Sequence, residues 1–119
     1  MLYEILPKSQ KKIARKIIDK GLQKDYANGL LKVKTLLNNW STELPDHREI
    51  YMKVYKTVKD HDKGIARKFN NVTGSKYVFT IVILLLEGLI SEEDLDEFSP
   101  PIKEKIMLSE RRLRQIDDD

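Results

Sequence analysis

The sequence predicts an all-α fold, a single-domain bundle of four to five helices around a central apolar helix at about 75–87. One long apolar run, Tyr77–Ile90, stands in a chain whose residues are 34% charged, and such a run belongs in the core. Other segments repeat their apolar residues every three or four positions, which is typical of amphipathic helices. We expect one helical domain over 1–116, followed by a disordered acidic tail at 117–119.

The first helix is predicted at about Lys8–Lys24. Ile13 and Ile17 fall on one face, and basic residues cover the opposite face. Gly21 weakens the end of this helix, and Asp25 is positioned to cap the next one.

A second helix is predicted at about Tyr26–Leu44, because apolar residues there step by four, three, four, three and four positions. These residues are Tyr26, Leu30, Val33, Leu37, Trp40 and Leu44. A row of this type packs on an antiparallel neighbour, and the short junction before it makes the first helix that neighbour.

Pro45 ends the second helix, and Asp46 with Glu49 has the spacing of a capping box at the start of a third. The third helix is predicted over about His47–Phe69. Its apolar face carries Ile50, Val54, Val58, Ile65 and Phe69. Gly64 leaves open whether the segment 46–70 is one helix or is broken near that glycine.

The apolar run suits either a helix or a buried strand, because it is rich in β-branched residues. Lys76, Thr80 and Glu87 fall within about 40° of one another at helical period, and the chain offers no second strand for pairing. Gly88 after the run resembles a helix C-cap. We therefore predict a helix.

Beyond the run, Ser91 is expected to cap a short acidic turn at Glu92–Phe98. Ser99-Pro100 then opens a last helix, since proline is favoured at the first helical position. The stretch Leu89–Leu95, LISEEDL, coincides with the common Myc epitope tag, and we interpret it as native sequence because it fits the surrounding pattern.

Charge is distributed unevenly along the chain. Residues 1–76 carry 17 Lys/Arg and 8 Asp/Glu, a balance of +9, and residues 77–119 carry 5 and 11, a balance of −6. Such polarity suits docking between complementary surfaces, within one molecule or between copies. The candidate interaction face consists of Lys8, Lys11, Lys12, Arg15, Lys16, Lys20, Glu92, Glu93 and Asp96.

The two histidines are the obvious candidates for a metal site or a general base, but we predict neither. Fourteen residues of helix separate His47 from His61 by roughly 21 Å, too far to share an ion. Both fall within the apolar stripe of the third helix and are expected to be hydrogen-bonded core or edge side chains. The chain has no cysteine and no glycine-rich phosphate loop. We predict no catalytic residue, no cofactor and no metal.

The segment from Gly64 to Ile90 resembles a winged-helix core, with a short helix, a turn, a recognition helix and an EGLI stop. That resemblance implies DNA binding. A recognition helix presents polar side chains to the groove, whereas this one offers Phe79, Ile81 and Val82. The acidic turn that follows would also repel phosphate.

The sequence therefore favours a small, non-catalytic helical protein–protein interaction module that self-associates. The alternative is a nucleic-acid-binding regulator that uses the basic face of the first helix or the unit at 64–90. We expect a cytoplasmic protein: the apolar run is 14 residues long and contains Glu87, and no secretory signal is recognised. No membrane and no small-molecule site are predicted.

Overall fold

The structure is a computed structural model that describes residues 6–118, with side chains described to residue 116. The prediction of an all-α fold is confirmed, since this part of the chain contains helices and no strand. The α-helices are α1 (Lys8–Leu37), α2 (Arg48–Phe69), α3 (Tyr77–Leu86) and α4 (Pro100–Asp118). Two 3₁₀ turns lie at Gly74–Lys76 and Glu92–Glu97.

Within the span predicted as a single domain, the chain forms two compact units. Unit 1 comprises Met1–Lys24 and Asn71–Asp119, and unit 2 comprises Asp25–Asn70. Helix α1 contributes its first part to unit 1 and its second part to unit 2.

Helix α3 is the core of unit 1. Val78, Ile81, Val82 and Leu84 are essentially inaccessible to solvent, and Leu85 is also buried. The prediction of a central helix at this place is confirmed, and α3 packs on α4, in which Ile106 is fully buried.

The end of α3 explains why the helix is short. Gly88 has a positive φ of 72°, which glycine adopts without steric cost. The amide of Gly88 donates to the carbonyl of Leu85 (3.1 Å), and the amide of Leu89 donates to that of Leu84 (2.9 Å). These two bonds are a Schellman motif, and they direct the chain back over the core.

The acidic turn and α4 follow as predicted. Ser91 and Asp94 form a capping box at the start of the turn. The amide of Ser99 donates to Gln10 Oε1 (2.9 Å), which ties the start of α4 to α1 within unit 1. Helix α4 runs to Asp118 and so includes the first two residues of the predicted tail, and Asp119 lies outside the described residues.

Helix α1 differs from the prediction, because one 30-residue helix replaces the break expected between Lys24 and Tyr26. Gly21 is not a helix end. A Cβ placed there would lie 2.7 Å from Leu84 Cδ1, so this glycine lets α1 approach α3 closely. Asp25 is not a cap either, since it lies inside α1, where its side chain is buried and only 4% exposed.

Unit 2 is a hairpin made by the second part of α1 and the whole of α2. Helix α2 passes unbroken through Gly64, which settles the open question about the segment 46–70. The row of apolar residues predicted to pack on an antiparallel first helix cannot do so, because both segments belong to the single helix α1. The row does not form the contact with α2 either, since Tyr26 is 46% exposed and Leu30 is 70% exposed. That prediction is wrong because a row of apolar spacing says which residues share a face, but not which partner covers it.

Candidate functional site

The charged residues predicted as an interaction face come together in part within unit 1. Lys16 forms an ion pair with Glu97 (3.0 Å), and Lys20 forms one with Asp94. Asp96 pairs with Lys103. Lys8, Lys12 and Arg15 are exposed, as are Glu92 and Glu93. The basic start of α1 thus lies against the acidic turn of the same chain.

Two pKa shifts follow from these contacts. Partial burial by itself would raise the pKa of Asp94, but hydrogen bonds from Lys20 and from the amide and hydroxyl of Ser91 outweigh it and lower that pKa. The hydrogen bond to Asp96 raises the pKa of Lys103, and the charges of Glu92 and Glu93 add to the effect. Both shifts favour the charged forms, the carboxylate of Asp94 and the ammonium group of Lys103.

A buried polar cluster joins the two helices of the hairpin in unit 2. The Asp25 carboxylate is paired with Lys68 Nζ at 2.7 Å and with His61 Nε2 at 3.3 Å. His61 Nε2 also lies 2.7 Å from the Asp25 carbonyl oxygen, which accepts a hydrogen bond from the ring. Because a buried charge is costly unless it is paired, we expect this cluster to favour the register of α1 against α2 in which its side chains meet.

Gly29 makes room for the imidazole of that cluster. A Cβ at this position would lie 2.7 Å from His61 Cδ2, so any larger residue would displace the ring. On the other side of the ring, Lys32 Nζ lies 3.2 Å from His61 Nδ1. Lysine can only donate, so His61 accepts at Nδ1 and carries its proton on Nε2. These contacts indicate that His61 holds α2 in place against α1.

The second histidine lies in the connection between the helices. Trp40 Nε1 donates to His47 Nδ1 (2.9 Å), and the two rings meet edge to face with centroids 5.9 Å apart. Both histidines are therefore hydrogen-bonded, as expected. Among residues 6–118 no group of three or more His, Asp or Glu side chains is arranged to hold a metal ion.

The hairpin also has an apolar face that is exposed to solvent. We define it by Tyr26, Leu30 and Leu37 on α1 and Tyr51, Tyr55 and Val58 on α2, which are 41% to 73% exposed. At about 100° per residue, the α1 members lie roughly 60–100° around the helix from Gly29, and the α2 members roughly 60–120° around from His61. The helices are antiparallel, so the same rotation brings both sets to one side of the hairpin.

An apolar groove adjoins this face near the connection. It has a volume of about 230 Å³ and is lined by Leu37, Trp40, His47, Ile50, Tyr51 and Val54. Leu37 and Tyr51 belong both to the groove and to the apolar face, so the two form one continuous surface.

The apolar row from Tyr26 to Leu44 in the sequence indicated this surface, but the prediction assigned the wrong packing partner to it. Four of the six residues in the predicted row, Tyr26, Leu30, Leu37 and Trp40, line the apolar face or the groove. The residues of α1 that contact α2 include Asp25 and Gly29, and neither residue type is one from which a helix–helix interface is predicted. The residues of α2 on the other side of this contact include His61 and Lys68, which are polar and are not predicted by apolar spacing either.

Comparison with protein-family models, curated proteins and solved structures gives no match to this chain. No single helix in the described part of the chain is long and apolar enough to cross a membrane, although α2 and the segment Gly74–Leu86 together, as a bent pair, meet the length and composition.

Proposed function

We propose that this chain is a non-catalytic, cytoplasmic protein–protein interaction module whose binding surface is the apolar face of the hairpin. The observation that carries the proposal is the exposure of that face in a chain with 34% charged residues. Large contiguous apolar patches are rare on isolated soluble proteins and are typical of interaction sites.

The composition of the face supports the same function. It holds three of the five tyrosines, and the adjoining groove holds the only tryptophan. Tyrosine and tryptophan are enriched at the centres of protein interfaces, where they supply large contact areas at low entropic cost. Two charged residues adjoin the face on α2: Asp62 lies one helical turn after Val58, and Lys59 Nζ lies 5.9 Å from the centre of the Tyr55 ring.

The alternative, nucleic-acid binding, has less support from the contacts. Lys16 and Lys20 already face carboxylates, which reduces the positive potential available to phosphate. In α3, the helix that would enter a groove, Val78, Ile81 and Val82 are buried within unit 1. We therefore keep nucleic-acid binding as an outcome of the test.

Site-specific photocrosslinking in cells of the source organism tests the proposal. A photoreactive residue at Tyr55, on the apolar face, should give a discrete crosslinked protein whose composition mass spectrometry identifies. The same residue at Lys63, an exposed position on the opposite side of α2, should not. The Tyr55 product should persist after nuclease treatment. Equal labelling from both positions, or none from Tyr55, would contradict the proposed surface, and a nuclease-sensitive product would favour the alternative.

A further inference from the structure

We infer that the occupant of the apolar face is a second copy of this chain, so that two hairpins pair face to face as a four-helix bundle. This inference rests on the proposed function and names the partner that the surface fits.

The first argument is that the hairpin is incomplete by itself. In unit 2 the only buried side chains among the described residues are Asp25 and Ile65, and Asp25 belongs to the contact between α1 and α2. Two helices bury one side of each other and leave the second apolar side uncovered. A pair of such hairpins encloses the uncovered sides, which is how four-helix bundles are built.

The second argument is the size of the surface. If a fully exposed large side chain presents roughly 150–250 Å², the apolar face with Trp40 leaves about 700 Å² uncovered. A stable protein interface of standard size buries about 800 Å² from each partner. One copy thus offers nearly the area that one side of a stable dimer needs.

The third argument is charge. A symmetric dimer brings each residue close to the same patch of its partner, so a charged face would repel its own copy. The face contains no charged residue among its six members, and Asp62 flanks it on α2. Lys59 adjoins the face, with its Nζ 5.9 Å from the centre of the Tyr55 ring, so one basic and one acidic residue flank it. Two other lysines of α2 are paired on the outer side, Lys53 with Glu49 (3.0 Å) and Lys56 with Asp60 (3.6 Å). The face is therefore suited to pair with itself.

The groove supplies shape as well as area. It is a recess of about 230 Å³ at the end of a surface whose other members, such as Tyr55 and Leu30, project into solvent. Projecting side chains and recesses on one surface are what a self-complementary interface requires.

The test uses the purified full-length chain and a matched pair of variants, Leu30→Glu and Leu31→Glu. The two leucines are neighbours on α1 and both are exposed, but only Leu30 lies on the apolar face. Sedimentation analysis should show a closed dimer for the natural chain. Leu30→Glu should weaken dimerisation by about 100-fold or more, because each dimer buries two unpaired carboxylates. Leu31→Glu should change it by less than about threefold.

Circular dichroism of both variants verifies that they remain folded, and Tyr55→Glu is a second face variant with the same expected loss. The dimer should persist at 1 M salt, since apolar contacts are not screened. A dimer that dissociates at high salt would instead point to the basic and acidic surfaces of unit 1 and would overturn the inference.

Because the chain lacks cysteine, single spin labels map the interface directly. Labels on Leu30→Cys should lie within about 20 Å of each other across the dimer, roughly two helix diameters, and labels on Leu31→Cys should lie farther apart. A monomer at every concentration, or a dimer indifferent to Leu30→Glu, would overturn the inference. If the monomer still crosslinks through Tyr55 to another protein in cells, the proposed function survives and only the second copy is rejected.

Discussion

Unit 1 and unit 2 treat their apolar residues in opposite ways. Unit 1 surrounds α3, and six of its large side chains, among them Ile81, Leu84 and Leu95, are almost wholly inaccessible. Unit 2 buries Ile65 and the carboxylate of Asp25 but leaves large apolar side chains such as Leu30 and Tyr51 in contact with solvent. The difference separates residues that hold the fold together from residues that remain available to a partner.

The two units also fix the packing of their helices by different means. In unit 1 the contact between α1 and α3 is apolar, with Gly21 lying against Leu84. In unit 2 the contact between α1 and α2 is built on the pairing of Asp25 with Lys68 and on a histidine that lies against Gly29. A polar cluster costs desolvation, but it tolerates far fewer alternative registers than an apolar row does.

The largest expected effect contrasts a buried leucine with an exposed one. Leu84→Ala should lower the free energy of unfolding by about 2–5 kcal/mol, because it removes contacts and leaves a cavity against Gly21. Leu31→Ala, on the exposed surface of α1, should change it by no more than about 0.5 kcal/mol. Urea denaturation of both variants measures the contrast. Similar losses would show that Leu31 is packed in the folded protein and is not exposed to solvent.

An intermediate effect is expected at the glycines of the hairpin. Gly29→Ala should destabilise the protein by about 1–3 kcal/mol, because the new methyl group would displace His61. Gly64→Ala has open space around it and lies within α2, so it should stabilise by about 0.5–1 kcal/mol. Thermal unfolding of the two variants gives the signs. A stabilising Gly29→Ala would mean that the cluster does not set the register.

The smallest effect concerns pH and the acidic turn of unit 1. Because the pKa of Asp94 is lowered in the folded state, its stabilising contribution is complete above the pKa of an unfolded aspartate, about 4. The contribution is lost as the pH falls through the lower pKa of the folded state. Asp94→Asn should remove this part of the acid sensitivity, which amounts to less than about 1 kcal/mol since Lys20 is largely exposed.

Lys20→Met is the control for the acidic turn. It should remove only part of the same acid sensitivity, because Ser91 still donates to the carboxylate. Unfolding measured from pH 2 to pH 7 distinguishes the two variants. Identical pH profiles for the natural chain and Asp94→Asn would show that the ion pair does not contribute.

Unit 1 was largely predictable from the sequence. The apolar run contains more apolar residues than one face of an amphipathic helix holds, so a central position was predicted for it. Gly88, Ser91 and Pro100 are residue types with strong positional preferences at helix ends. The break predicted near Gly21 was the exception. A glycine inside a helix reduces helix propensity, but α1 gains a close contact with Leu84 in return, and propensity alone does not include that gain.

The hairpin was less predictable, for a physical reason. The apolar spacing from Tyr26 to Leu37 correctly identified residues that share one face of α1. The spacing could not show that Asp25 and Gly29, which lie roughly 60–140° around the helix from that face, would be the residues that meet α2. Buried polar contacts of this kind are recognised only when both partners are known, and His61 and Lys68 lie more than 30 positions further along the chain.

The stretch Leu89–Leu95 has a practical consequence for anyone who handles this protein. Leu89, Ile90 and Leu95 are buried, and the Asp94 carboxylate is engaged with Ser91. An antibody against the LISEEDL peptide can therefore reach these buried residues only after the acidic turn has unfolded locally from unit 1. The rate at which such an antibody binds the folded protein would measure how often this turn opens, without any label being added to the chain.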